Sequence, residues 1–544
     1  MDGEQFREAA HAAIEEIIEH FNTIASKRVV PNIEPGYLRP LVPTSAPNDP
    51  EPWNKIQPDI ESQIMPGLTQ WQSPKFMAYF PAGVTYPSIL GELYSAAFTA
   101  PAFNWLCSPA CTELEIIVMD WVAQALGLPD CFLSAASSKS GQSTGGGTIQ
   151  GSASEAVATV IVAARERHVR AKALAEGLVE GTLEWEDRTM ELRTRLVAVA
   201  SDQTHSCTAK GARIAGVRYR AIPARLEDNM AMTGDGLRKM LEQCEREGLE
   251  PFYLTATMGT TNSCAIDRFA EIKAVLKEKE AWQKIWVHID AAYAGSALVT
   301  EEWQHVAQEF AEGVDSFTVN MSKWLLVNFD ASLLYITNPI DLTNALDITP
   351  AYLRNPSNLT TPVTDFRNWG IPLGRRFRAL KVWFVMRTYG LSGIKAHIRK
   401  GINNGVVFAD LTKTRPDLFE IITGPAFGLT TLRVRGLDES PAASAGSWSN
   451  GTSVETAVSE DTASSSSSIS TQALTHKVCE KINADGEIFL TSSVFGGFTV
   501  IRVVSGNPLA EEKYVREAFE ILVKVTEEVL AEERKKMQGQ SVQN

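Results

Sequence analysis

A chain of 544 residues is too long to fold around one hydrophobic core and predicts two or three domains. Its 44% hydrophobic and 21% charged residues belong to a globular protein, which argues against a disordered or membrane-embedded chain. A formal net charge of -14 disfavours nucleic acid and anionic membranes as partners, because the protein's field repels both.

Residues 1–26 carry charges throughout and place Phe6, Ala10, Ile14, Ile17, Phe21 and Ile24 on one helical stripe. They predict an amphipathic helix that needs a surface to cover, without the apolar stretch or cleavage site of a targeting segment. No window reaches the roughly 18 apolar residues of a membrane span. The seven cysteines are scattered with no C-x-x-C pair, so neither a disulfide framework nor a metal site is expected. A cytoplasmic location is the simplest expectation.

A proline-dotted connector follows from Pro31 to Pro52, then a small- and aromatic-rich stretch at 84–127 that ends in a helical run. Residues 132–147 read as a loop. Ser152 and Glu155 have the spacing of a capping box that opens a helix at 153–165. From there apolar runs at 195–200, 252–258, 285–290, 316–320 and 332–337 alternate with helical patterns at 205–215, 234–248, 267–280 and 300–312. Such alternation predicts an α/β domain with a mainly parallel sheet and helices on both faces. Beyond a long helix at 377–389 come short strands near 419–423, 429–435, 487–491 and 498–504, and a closing helix at 509–536. This second pattern predicts a smaller α+β domain, interrupted by a serine-rich segment at 438–472 too poor in apolar residues to order itself. The expected division is 1–85, 86–376 and 377–544.

Four features carry chemistry. Lys323 sits at a turn between two apolar runs, where desolvation would lower its pKa and free its amine for a Schiff base; a lysine whose stem snorkels to water reads the same way. Gly145 to Ala156 forms a glycine-rich approach to a helix N-terminus, an anion cradle or simply a capped helix. Asp290 ends an apolar strand, where ligands bind in parallel sheets, although a helix cap would also use an aspartate. His205 follows another strand end. Anion cradle, carboxylate, histidine and lysine together are what pyridoxal 5'-phosphate requires: the cradle for phosphate, the carboxylate for the pyridine nitrogen, the lysine for the aldehyde.

The motifs EPGYLRP (34–40), FMAYFPAG (76–83), SPACTELE (108–115), IQGSASEA (149–156), HIDAAYAGSA (288–297), KWLLVNFD (323–330) and IPLGRRFR (371–378) closely resemble those of the aromatic-L-amino-acid decarboxylases, group II pyridoxal-phosphate enzymes. The resemblance implies an aspartate-aminotransferase-like fold (fold type I), with an N-terminal segment wrapping the partner of a homodimer, and decarboxylation of an aromatic amino acid, tryptophan first. It implies that Lys323 binds the cofactor covalently, Asp290 pairs its ring nitrogen and His205 stacks on the ring. Ser152, Ala153, Ser154, Asn320 and Ser322 would hold the phosphate, and Thr261 and Ala292 would line the cofactor. Trp71, Tyr79, Phe80, Ala82, Pro101 and Gly374 would line the substrate pocket, with Phe103 reaching in from the other subunit. Tyr352 would give the proton to the substrate carbon.

The sequence departs from the family pattern at Ser322, where histidine is usual, and at Ala82, Gln72 and Pro101 near the pocket. One rival stays within the family: an aromatic acetaldehyde synthase, which Tyr352 disfavours because that activity goes with phenylalanine there. The other is a non-catalytic pyridoxal-phosphate-binding protein, disfavoured by the presence of both Lys323 and Asp290.

Overall fold

A computed structural model of the chain describes residues 1–349, 353, 355, 363–437, 439 and 470–541. They form two compact units, residues 83–400 and residues 1–82 with the described residues from 401 onward. Among the described residues no helix is long and apolar enough to cross a membrane.

The first unit is built on a seven-stranded sheet: β1 (Gly146–Gln150), β2 (Leu196–Ser201), β3 (Arg218–Ile222), β4 (Glu250–Thr257), β5 (Trp286–Asp290), β6 (Ser316–Asn320) and β7 (Ser332–Ile336). Their spatial order is β1-β7-β6-β5-β4-β2-β3. All neighbours pair parallel except β7, which runs antiparallel to both β1 and β6. Every residue of β2, β5, β6 and β7 is buried, as expected of strands covered on both faces. The C-terminal ends of β1, β6, β5, β4 and β2 therefore share one edge of the sheet. Connections leave that edge as turns, and it is there that side chains meet without being consumed by packing.

This unit differs from the sequence reading in several places. The loop expected to reach residue 147 gives way at Gly146 to β1, which is wholly buried. A Cβ on Gly145 would lie 2.0 Å from the Cys131 carbonyl oxygen, and one on Gly147 2.3 Å from Met119. These glycines therefore let a strand pack flush against its neighbours; they do not serve an anion. The helix after them runs Ala153–Ala175, ten residues longer than its expected end at 165. At 300–312 the helix is only Gln304–Gln308.

The second unit carries a four-stranded antiparallel sheet of β8 (Phe419–Ala426), β9 (Leu429–Val434), β10 (Thr491–Phe495) and β11 (Phe498–Val504), in the order β10-β11-β9-β8. Helices Thr471–Asp485 and Glu512–Ser541 pack their apolar sides, including Leu474, Val478, Ile482, Leu522 and Val529, into one core with β9 and β11. Residues near 76 join the same unit: Met77 N–H donates to Phe489 and its carbonyl accepts from Val504. Strand β10 lies at 491–495, beyond the expected 487–491. Of the serine-rich span 438–472, Ser470 caps the helix that Thr471 opens, and Glu439 pairs with Arg433. Asp438 and residues 440–469 lie outside the described residues. The helical stretch Ala379–Lys413 breaks at Gly390, whose φ of 59° is costly for any residue with a Cβ.

Candidate active site

Asp290 closes β5 and is 4% exposed. One carboxylate oxygen accepts the Ala292 N–H at 3.1 Å; the other has no hydrogen-bond partner among the described residues. That second oxygen is left able to accept from a donor in the crevice. The next strand, β6, ends at Asn320 and turns at once into Met321–Trp324, which carries Lys323. Two backbone bonds fix this turn beside the end of β5: Ala291 N–H to Thr318 at 2.9 Å and Asn320 N–H to Ala292 at 3.0 Å. The Trp324 ring stacks on Tyr293, 4.7 Å between centroids and 14° between planes. Burial lowers the pKa of Lys323, and the negative charge of Asp290 offsets part of that shift. The amine thereby keeps a larger neutral, nucleophilic fraction than a surface lysine.

His205 follows β2, open to solvent within the crevice. The protein around it lowers its pKa; Asp290 opposes that shift and Lys323 adds to it. Its Nδ1 accepts the N–H of Cys207 at 3.1 Å, which leaves the ring proton on Nε2. The ring is thereby held with Nε2 at a fixed edge. Thr261 lies in the turn after β4, and the neighbouring Asn262 amide donates to Gln203 at 3.1 Å, tying that turn to the one bearing His205.

At β1 the chain passes Gly151 and enters the helix Ala153–Ala175. The Ser152 hydroxyl accepts the Glu155 N–H at 3.1 Å, but the Glu155 carboxylate reaches the N–H of Gly151, one residue before the cap. Only one half of the expected capping box forms. The N–H groups of Ala153 and Ser154 have no backbone or side-chain partner among the described residues, so this helix end offers two donors and the positive end of its dipole. Gln150 and Asn320 both stand opposite Ser332 of β7. Two strand spacings, roughly 9–10 Å, thus separate the cradle's strand from the strand of Asn320.

Pro101 and Gly374 come together: a Cβ built on Gly374 would meet only Pro101, at 3.9 Å. Gly374 also borders a cleft of about 70 Å³ with Gln150, Gly151 and Glu155. The Phe103 carbonyl accepts from Arg367 at 3.2 Å. Trp71, Tyr79, Phe80 and Ala82 belong to the second unit. There Trp71 stacks on Tyr79 at 5.8 Å, Arg502 lies over Phe80 at 5.4 Å, and the Gln72 amide donates to the Ala82 carbonyl at 2.5 Å. Tyr352 lies outside the described residues.

Two supports escaped the sequence reading. Glu115 and Arg375 form a buried bidentate pair at 2.7 and 2.9 Å, and both also bond Thr148 or Ile149 of β1. They lie in two of the motifs quoted above, but nothing local links residues so far apart. Asp267, 1% exposed, accepts the N–H groups of Met232 and Thr257 at 2.7 Å each and closes the turn carrying Thr261. Its burial pushes its pKa up to about 7. A roomier cavity of about 260 Å³, on the outer helices, is lined by charges already paired, Arg170 with Glu180 and Arg193 with Glu166, and has little left to offer a ligand.

An unpartnered acceptor, a desolvated lysine and a helix-end anion cradle on one sheet edge fit a phosphorylated, nitrogen-bearing aldehyde. Residues 35–435 match the pyridoxal-dependent decarboxylase conserved domain. The chain belongs to this decarboxylase family. It is 42% identical over 440 residues to the aromatic-L-amino-acid decarboxylase of Cavia porcellus, covering 81% of this chain and 87% of that protein. Among solved structures it is similar to Catharanthus roseus tryptophan decarboxylase in complex with L-tryptophan, at 33% identity, a TM-score of 0.82, and coverage of 97% and 99% of the two chains. The 4-hydroxyphenylacetaldehyde synthase of Rhodiola rosea is similar at 30% identity and a TM-score of 0.81, with the same coverage. The sheet and its helices are accordingly those of fold type I. This decarboxylase is an enzyme whose cofactor is pyridoxal 5'-phosphate.

Proposed function

We propose that the protein decarboxylates an aromatic L-amino acid to its arylalkylamine, with tryptophan preferred and DOPA, 5-hydroxytryptophan and tyrosine as further substrates. The observation that carries this reading is the free oxygen of Asp290 beside the desolvated Lys323 at the end of adjacent strands. When bound, the cofactor supplies a conjugated ring that takes up the electron pair of the broken carbon–carboxylate bond. Lys323 contributes the amine that anchors the aldehyde. Asp290 holds a proton on the ring nitrogen, which keeps the ring electron-poor. His205 stacks on the ring, its orientation fixed by the Cys207 N–H bonded to Nδ1. Ser152, Ala153, Ser154 and Asn320 hold the phosphate, and Thr261 and Ala292 line the ring. Tyr352 returns a proton to the substrate carbon. Trp71, Tyr79, Phe80, Ala82, Pro101, Gly374 and Phe103 from the other subunit shape the pocket.

The functional molecule on this reading is a cytoplasmic homodimer, with residues 1–85 embracing the partner, 86–376 binding the cofactor and 377–544 forming the small domain. Two apolar surfaces support a second copy. Helix Gly3–Thr23 buries none of its residues although Phe6, Ile14 and Ile17 line one side. On helix Tyr86–Phe98 the exposed Tyr86, Leu90, Leu93, Tyr94 and Phe98 recur at helical spacing.

Substrate choice is tested by catalytic efficiency on tryptophan and tyrosine. The space at Gly374 favours a bicyclic ring. Gly374→Ser should therefore lower kcat/KM for tryptophan relative to tyrosine by on the order of tenfold. A native enzyme that prefers tyrosine tenfold, or a serine variant that gains on tryptophan, contradicts this choice.

The similarity to an aldehyde synthase gives the second reading its weight. Tyr352 separates the two. In Tyr352→Phe, amine formation should fall by about 10²–10⁴, while aldehyde, ammonia and peroxide appear, because the carbon that lost carbon dioxide meets oxygen before a proton. Loss of all turnover without new products would remove Tyr352 from that role.

A further inference from the structure

Among the described residues, the Asn320 side chain is held in one orientation by Ser322. Its carbonyl oxygen accepts the Ser322 hydroxyl at 2.6 Å and the Ser322 N–H at 3.3 Å. Both residues are more than nine-tenths buried, at 6% and 2% exposure. A hydroxyl has one proton, and here that proton goes to Asn320. The Asn320 NH₂ group makes no hydrogen bond among the described residues, yet it sits at the very end of β6, across β7 from the cradle strand. A buried amide whose acceptor is doubly engaged and whose donors are unused is built to present those donors to an anion. The Ser322 carbonyl is itself anchored by the Gly83 N–H at 2.7 Å, so the orienting residue cannot drift.

We propose that Ser322 is a positioning residue: it turns the Asn320 amide so that its NH₂ faces the cofactor phosphate, and is not itself the phosphate's ligand. This inference rests on the reading above that Asn320 and the helix end at Ser152 hold that phosphate. A histidine at position 322 would bring a ring nitrogen to the phosphate region; serine instead gives the asparagine a fixed direction. Without the hydroxyl, the amide loses its stronger tether and samples the flipped orientation, which places a carbonyl oxygen against the anion.

The test is the dissociation constant of the apoenzyme for pyridoxal 5'-phosphate and for pyridoxal, which lacks the phosphate, in the native protein, Ser322→Ala, Ser322→Thr, Asn320→Ala and the double alanine variant. Ser322→Ala should weaken pyridoxal 5'-phosphate binding by on the order of tenfold and leave pyridoxal binding unchanged. Ser322→Thr, which keeps the hydroxyl, should stay within about threefold of native. Ser322→Ala should add little on top of Asn320→Ala, since it acts through that residue. Equal losses for phosphate and non-phosphate forms, or full additivity with Asn320→Ala, overturn the positioning role. If Asn320→Ala itself leaves pyridoxal 5'-phosphate affinity unchanged, the phosphate site is misplaced and the inference falls with it. If Asn320→Ala weakens binding while Ser322→Ala does not, only the inference falls.

Discussion

Lys323→Ala is expected to abolish decarboxylation and to remove the absorbance of lysine-bound cofactor from the purified protein. Covalent anchoring needs an amine that is neutral part of the time and fixed beside the ring's nitrogen partner. Burial lowers the Lys323 pKa toward that state, and the turn Met321–Trp324 is pinned to the end of β5 by two backbone bonds and by the stack of Trp324 on Tyr293. An alanine leaves nothing at that position to take over. The variant should still fold, because the pinning contacts come from the backbone and from Trp324. A normal cofactor spectrum in folded Lys323→Ala would mean that another lysine carries the aldehyde.

Asp290→Asn should lower kcat by on the order of 10²–10³ with a smaller effect on substrate KM. The carboxylate is nine-tenths buried and keeps one oxygen unpartnered, so its charge is available to hold a proton on the ring nitrogen. An amide preserves the hydrogen bond from Ala292 and the shape of the site but removes the charge that stabilises electron uptake. Since the fold contacts survive, kcat is the parameter that must move. A variant within threefold of native turnover would show that the ring nitrogen needs no anionic partner.

The chemistry was legible in the sequence wherever it follows a strand that announces itself. Residues 316–320 and 286–290 are short apolar runs ending in a polar residue, alternating with helical patterns as parallel strands covered on both faces do, and so Asn320, Lys323 and Asp290 could be expected at one edge beforehand. His205 follows the same logic after β2. Strand β1 was not legible, because Gly145, Gly146 and Gly147 carry no strand propensity and their burial is imposed by Met119, Tyr335 and the Cys131 backbone. Strand β3, Arg218–Ile222, alternates arginine with apolar residues and sits at the sheet edge, where a weak pattern suffices. The supports of the site were hidden for another reason. Glu115 and Arg375 are 260 positions apart, and the bond from the Ser322 hydroxyl to Asn320 depends on a turn geometry that the sequence pattern does not specify. Trp71, Tyr79, Phe80, Ala82 and Phe103 came from resemblance, since an aromatic residue in a loop has no pattern that distinguishes a pocket from packing.

The central claim is that Lys323 alone carries the cofactor in this crevice. Reducing the holoenzyme with borohydride and mapping the phosphopyridoxyl group by peptide mass spectrometry tests it directly. The label should fall on the peptide containing Asn320-Met321-Ser322-Lys323-Trp324, and on no other lysine in comparable yield. A label on a different lysine, with Lys323 unmodified, would contradict the account.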